Sequence, residues 1–211
     1  WTGGSYQRKR SPGGSDETRD PVGRSRMRGK EMKLMFASDI HGSAYYCEKM
    51  LECYRREKAE RLWILGDILY HGPRNDLPKE YAPKKVIAML NEIKEEICAV
   101  RGNCDTEVDQ MVLEFPILAD YSLLAADGLR LYATHGHIYN EQHMPPLMTG
   151  DILIHGHTHI YEAKNAGEHV ILNPGSVSIP KGGNPPTYGI LEKKVFSVRD
   201  LDGQILKSIE L

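Results

Sequence analysis

Five short apolar runs in this chain each stop at polar residues able to bind a metal. Residues 33–38 lead into Asp39-Ile40-His41, and 62–65 lead into Gly66-Asp67. Residues 97–100 run up to Gly102-Asn103, 129–134 to His135, and 151–154 to His155-Gly156-His157-Thr158-His159. Runs of this length and composition suit strands buried on both faces of a helix-covered parallel sheet. A strand interior cannot accept an unpaired carboxylate, because a buried lone charge is costly. The C-terminal edge of such a sheet is different, since α/β folds hold ligands there. Gly66 has no Cβ and permits a close approach beside Asp67. Taken alone, Asp67 reads equally well as the N-cap of a following helix. Its four companions point instead to a shared ligand at a sheet edge.

The spaces between the runs set the fold class. Ser43 is a good N-cap for a helix through about Lys58, with Met50, Leu51 and Tyr54 on its apolar face. A second helix is expected over 81–96, with Val86, Ile87, Leu90 and Ile93 on one side. Strand, helix, strand, helix, strand implies right-handed parallel crossovers. The proline-containing stretch 70–83 between them is long enough for a functional loop. After Asp105 the pattern turns to β. Ala126-Asp127-Gly128 separates 121–125 from 129–134 as a hairpin turn. Strands are expected over 170–172, 188–191, 195–200 and 205–211, with turns at Asn173-Pro174-Gly175-Ser176, Lys193-Lys194 and Asp202-Gly203. The fold class is therefore α/β, with a βαβ half and a β-rich half.

Residues 1–31 stand apart. They carry eight Lys/Arg against four Asp/Glu and few apolar residues, so they read as a disordered N-terminal extension, dispensable or non-native. Residues 32–211 read as a single domain with a net charge of −6, which argues against stable nucleic-acid or membrane-surface binding. No apolar run approaches the roughly 20 residues of a membrane span. The four cysteines include no Cys-x-x-Cys pair, so neither a structural zinc module nor disulfides are expected. A reduced, cytoplasmic setting fits.

Collected at the strand ends, Asp39, His41, Asp67, Asn103, His135, His157 and His159 form a set that needs a counter-charge. Packed together without one, the imidazoles would be desolvated and the carboxylates would repel. Mixed imidazole and carboxylate donors suit manganese, iron, nickel or zinc better than calcium or magnesium. Seven donors exceed the needs of one ion, so two ions sharing Asp67 are implied. Such a pair stabilises the attacking and leaving oxygens of a phosphoryl displacement. His71, His137, His143, His155 and His169 stay unassigned, although His137 and His155 sit beside ligand positions and are candidates to orient them.

These motifs, Asp39-Ile40-His41, Gly66-Asp67, Gly102-Asn103-Cys104-Asp105, His135 and Gly156-His157-Thr158-His159, resemble the calcineurin-like metallophosphoesterases. The likeness runs from 33 to about 211, and His71-Gly72-Pro73-Arg74 and the 173–180 segment resemble the family's small YfcE-type phosphodiesterases. It implies a four-layer αββα sandwich with a di-metal centre on one edge. By position, one ion falls to Asp39, His41, Asp67 and His159, and the other to Asp67, Asn103, His135 and His157. It implies two divalent ions per chain, Mn2+ first, with Ni2+, Fe2+ and Zn2+ behind it, and a metal-activated water or hydroxide as nucleophile. Asp67 and Asn103 are then the residues nearest the chemistry. The departure is Cys104, where the family's usual histidine assists the leaving oxygen. A thiol is a weak hydrogen-bond donor of higher pKa. The reading is a metal-dependent phosphodiesterase acting on a small phosphodiester, with Cys104 as a specificity position. Competing readings are a non-catalytic scaffold similar to Vps29, or a phosphatase or nuclease of the same family. A homo-oligomer is compatible with all of them.

Overall fold

The computed structural model describes residues 32–211, so the expected disordered extension 1–31 lies outside the described residues. Strand β1 (Leu34–Ala37) is followed by helix α1 (Ala44–Glu57), β2 (Arg61–Ile64), α2 (Pro83–Asn91), a 3₁₀ turn at Lys94–Glu96 and β3 (Ile97–Ala99). A one-turn helix α3 (Glu107–Gln110) precedes β4 (Tyr121–Ala126), β5 (Leu129–Thr134), β6 (Ile152–Ile154), β7 (Glu162–Ala166) and β8 (His169–Asn173). Strands β9 (Thr187–Glu192), β10 (Val195–Asp200) and β11 (Ile205–Glu210) close the chain.

Two sheets result. The first runs β11-β10-β9-β1-β2-β3, with β1, β2 and β3 mutually parallel, as the strand–helix alternation required. The second runs β4-β5-β6-β8-β7, with β5, β6 and β8 parallel and an antiparallel strand at each edge. Side-chain alternation explains why the first sheet is covered on both faces. Met35, Ala37, Leu62 and Ile64 point to Met50, Leu51, Tyr54, Val86 and Leu90 of the two helices. Leu34, Phe36, Trp63 and Leu65 point the other way, into a core shared with Leu131, Ala133, Ile152, Ile154 and Leu172 of the second sheet. Phe36 anchors that inter-sheet layer, its ring 6.3 Å from Trp63 and 6.2 Å from Phe196. The outer face of the second sheet is covered by a loop rather than a helix: Tyr139, Met144 and Leu147 pack on Tyr132, Leu153 and Ile171.

Local chemistry accounts for the element ends. Ser43 Oγ accepts from the Tyr46 amide at 3.2 Å, and α1 stops where Lys58 turns left-handed with Arg55 and Arg56 in the last turn. The second helix is shorter than its periodicity suggested. Tyr81 pairs with Ser43 as a β-bridge and the Ala82 amide donates to Gly42, so the chain stays extended until Pro83 opens α2. At its other end Lys94–Glu96 tightens to 3₁₀ before β3. Two elements were not expected. Strand β7, Glu-Ala-Lys-Asn-Ala, has no apolar run because it is a charged edge strand, with Lys164 bridging Glu141 and Glu162. Helix α3 opens on a capping box between Thr106 and Asp109, a signal that was present in the sequence.

Candidate metal centre

The C-terminal ends of the parallel strands of both sheets meet at one seam. From β1 come Asp39 and His41, from β2 Asp67, and after β3 Asn103 and Cys104. From β5 comes His135, and after β6 His157 and His159. All seven expected ligand residues are brought together there.

Five of the seven stand in left-handed backbone: Asp39 (φ +59°), His41 (+50°), Asp67 (+54°), His157 (+67°) and His159 (+60°). Each such residue costs about 1–3 kcal/mol and persists only where its surroundings over-determine it. The surroundings do so. The Asp39 and His41 amides donate to Gly66 and Asp67 carbonyls at 3.1 and 2.9 Å, continuing the β1–β2 pairing past the strands. The Asp39 carbonyl accepts from both Ser176 Oγ and Ser178 Oγ at 3.0 Å. Gly66 (φ +94°) is forced, since a Cβ there would strike the backbone of Gly102.

Three imidazoles are aimed by their far nitrogens. His41 Nδ1 bonds the Tyr70 carbonyl at 2.7 Å, His135 Nδ1 that of Leu65 at 2.6 Å, and His159 Nδ1 that of Ile179 at 2.6 Å. A ring whose Nδ1–H donates to a carbonyl turns an Nε2 lone pair inward, as metal-binding histidines do. The inward atoms crowd together. His41 and His159 Nε2 are 3.4 Å apart, His135 Nε2 is 3.3 Å from His157 Nδ1, and Asn103 Oδ1 is 3.1 Å from His135 Nε2. Asp39 Oδ1 is fully buried without a hydrogen bond, although His159, His41 and His135 Nε2 lie 3.2, 3.6 and 4.0 Å away. Asp67 Oδ2 lies 3.6 Å from His41 and 3.4 Å from His135, the inner histidines of the two expected ion sets. Lone pairs facing lone pairs around an orphaned carboxylate oxygen fit a site for divalent cations. Asp39–His41–His159 and Asp39–Asp67–His135 each converge tightly enough to hold one, as does His41–Asp67–Cys104.

The same crowding sets the protonation of the metal-free groups. Burial alone would lower His135, but its bond to Asp67 and the charges of Asp39 and Asp67 outweigh it and push the imidazole up to about 9. His41 rises too, burial being outweighed by Asp39. Burial raises and the imidazoles lower both carboxylates, leaving Asp39 well below the usual range and Asp67 below it. Burial, then the charge on His135, pulls His157 down to about 4. Burial, then Asp67, pushes the Cys104 thiol up to about 12, so the sulfur is a neutral thiol.

Sequence reasoning missed the supports. Asp105, read only as part of a motif, is buried and accepts from the Asp67 and Gly102 amides at 2.8 Å each and from Ile68 at 2.9 Å. It locks the Asp67 loop to the Asn103 loop, and Asp67 Oδ1 returns a bond from the Cys104 amide at 2.8 Å. Asn173 does similar service on the second sheet, donating to the Gly156 carbonyl at 2.9 Å and Thr158 Oγ1 at 3.1 Å. Of the unassigned histidines, His155 is buried against the Gly156 carbonyl and His137 packs on His135, its Nδ1 buried without a partner. His143 bonds Ile138 on the surface, and neither His71 nor His169 supplies a ligand atom to the convergent groups found among the described residues.

The calcineurin-like phosphoesterase superfamily domain matches residues 32–194, and the chain belongs to that family. Phosphodiesterase YfcE of Escherichia coli (strain K12) is 53% identical over 173 residues, spanning 82% of this chain and 94% of the relative. Phosphodiesterase MJ0936 of Methanocaldococcus jannaschii is 26% identical over 178 residues, 81% of this chain and 98% of that one. The solved structure of YfcE, described as a phosphoesterase from E. coli, superposes with a TM-score of 0.83 at 52% identity over 84% of this chain and 98% of that chain. Vps29 of Entamoeba histolytica complexed with zinc shares the fold, at a TM-score of 0.55 and 21% identity over 84% and 98% of the two chains.

Proposed function

We propose that the chain is a metal-dependent phosphodiesterase working with two divalent ions per chain, Mn2+ ahead of Ni2+, Fe2+ and Zn2+, in the cytoplasm. The observation that carries this reading is Asp67 Oδ2 placed between His41 and His135, which suits one carboxylate shared by two ions. The likeness to YfcE over most of both chains supports the diester class. The two ions, when bound, supply Lewis acidity to the phosphoryl oxygens and lower the pKa of a water that serves as nucleophile.

The chain's own residues do the rest. Asp39, His41 and His159 would hold one ion, Asn103, His135 and His157 the other, and Asp67 would serve both. Asn103 turns its carbonyl oxygen inward and its exposed amide nitrogen toward the cleft, where Nδ2 is free to donate to a phosphoryl oxygen besides Cys104 Sγ at 3.2 Å. Cys104 stands where the family's usual histidine assists the leaving oxygen, and a thiol is a weak hydrogen-bond donor, so the site favours diesters whose leaving groups need little protonation. The scaffold reading loses ground because the donor set is complete.

The test is a hydrolysis screen of the Mn2+-reconstituted protein against monoesters and diesters sharing a leaving group, alongside elemental analysis. Diester turnover with about two metal equivalents, the count expected of a two-ion clamp, is the expected result. No diester turnover with any of the four metals sinks the reading.

A further inference from the structure

The cleft above the centre, of about 500 Å³, has a charged wall that metal binding does not use. Its floor includes His41, Asp67 and His159, and its wall carries Arg74 and Lys181, both exposed. Neither cation has a partner for its side chain among the described residues. Their backbones, by contrast, are pinned. Arg74 follows Pro73 in a turn closed by the Asn75 amide on the Gly72 carbonyl at 3.3 Å, and Asn75 Nδ2 donates to the His71 carbonyl at 2.8 Å. The Lys181 amide donates to the carbonyl of His159 at 3.0 Å, and Asn184 Nδ2 donates to the Lys181 carbonyl at 2.8 Å. Two unpaired cations are thus held over the mouth of the site by a domain whose residues 32–211 carry a net charge of −6.

We infer that Arg74 and Lys181 form a subsite for a second anionic group, so that the substrate is a phosphodiester with a carboxylate or phosphate on one ester arm. The inference rests on the phosphodiesterase reading. With the scissile phosphate at the floor, an ester arm lying along this wall meets a guanidinium suited to bidentate pairing with an oxyanion and an ammonium acting as a point charge.

The test compares three 4-nitrophenyl diesters on the Mn2+-loaded protein: 3-carboxyphenyl, 3-phosphonophenyl and the uncharged 3-carbamoylphenyl. Non-hydrolysable phosphonate analogues of the three are titrated in parallel by calorimetry. Wild type is expected to favour the charged arms mainly through KM, by about ten-fold in kcat/KM, the size expected of charge-assisted hydrogen bonds. That preference shrinks as salt rises. The double variant Arg74→Gln, Lys181→Gln should reduce the preference toward one, and Arg74→Glu should reverse it. If the variants lower all three diesters by the same factor, the two cations act on the scissile phosphate or the loop alone, and the subsite is refuted. If wild type hydrolyses no diester, the catalytic reading falls. The calorimetric contrast between charged and uncharged analogues then still decides the subsite, equal affinities refuting it.

Discussion

The two sheets contribute to the site in different currencies of chemistry. The first, through β1, β2 and the loop after β3, supplies both carboxylates, the amide and one histidine. The second, through β5 and β6, supplies three imidazoles and no acid. Each edge alone would be a poor binding site: one carries repelling anions, the other repelling or desolvated imidazoles. Joined at the seam they neutralise each other, which is why His135 from the second sheet is drawn up to about 9 by Asp67 and Asp39 of the first. The packing of Phe36 and its neighbours between the sheets holds the two edges together.

That comparison can be broken most completely at Asp67. Asp67→Ala removes the carboxylate whose Oδ2 lies 3.6 Å from His41 and 3.4 Å from His135, and should lower diester kcat/KM by about 10³-fold or more while reducing bound metal below two equivalents. His157→Ala removes one imidazole from one set and should cost less in both assays. Equal losses, or full activity in Asp67→Ala, would mean that the first sheet does not hold the shared ligand.

The seam itself is tested next. A Cβ on Gly156 would strike Ser38 and come within 3.0 Å of Asp39 Oδ2, wedging the sheets apart where the ligands meet. Gly156→Ala should cost about 1–3 kcal/mol of stability in urea unfolding and weaken metal binding. At Gly128, on a hairpin tip, an added Cβ meets nothing within 4 Å, and only its φ of +81° opposes alanine. Gly128→Ala should cost about 1 kcal/mol and leave metal stoichiometry at wild type. A Gly156→Ala protein with wild-type metal affinity would uncouple seam from site.

Charge exchange between the sheets has a pH signature in metal-free protein. A histidine raised to about 9 in the folded state contributes stability that is complete below its unfolded pKa near 6.5 and is lost as pH rises through 9. His157, lowered to about 4, contributes the opposite slope, stability rising from pH 4 to 6.5. The metal-free melting temperature should therefore peak near pH 6.5 and fall toward pH 9.5. With Mn2+ in place of the proton that fall should vanish, because deprotonation favours ligation. A flat metal-free profile from 6.5 to 9.5 would show that the carboxylates do not charge His135.

The last test sharpens the first sheet's own role. Cys104→His should raise kcat/KM for a monoester relative to a diester with the same leaving group, by up to about 10²-fold if the imidazole acts as general acid. An unchanged ratio would make Cys104 a packing residue beneath the cleft.

Much of this arrangement was legible in the chain because apolar runs and their polar ends are local. The run at 62–65 ends at Asp67 whatever surrounds it, and Ser43 caps α1 through its own next turn. Strand β7 was not legible, since an edge strand needs no apolar pattern, and the late start of α2 came from Tyr81 pairing across to Ser43. Asp105 looked like one more polar residue in a motif. Its role depends on three amides from two loops, which no spacing displays.

The sequence by itself determined the donor types and their places at strand ends, because buried strands cannot carry charge and must shed it where they stop. Only the tertiary structure decided which donors face each other: the left-handed backbone at five of the expected ligand residues, the orphaned Asp39 oxygen and the carboxylate between His41 and His135. Those features arise where two separately built sheets pack, and the contacts that hold them join residues more than a hundred positions apart, such as Asp39 with His157 and Ser176.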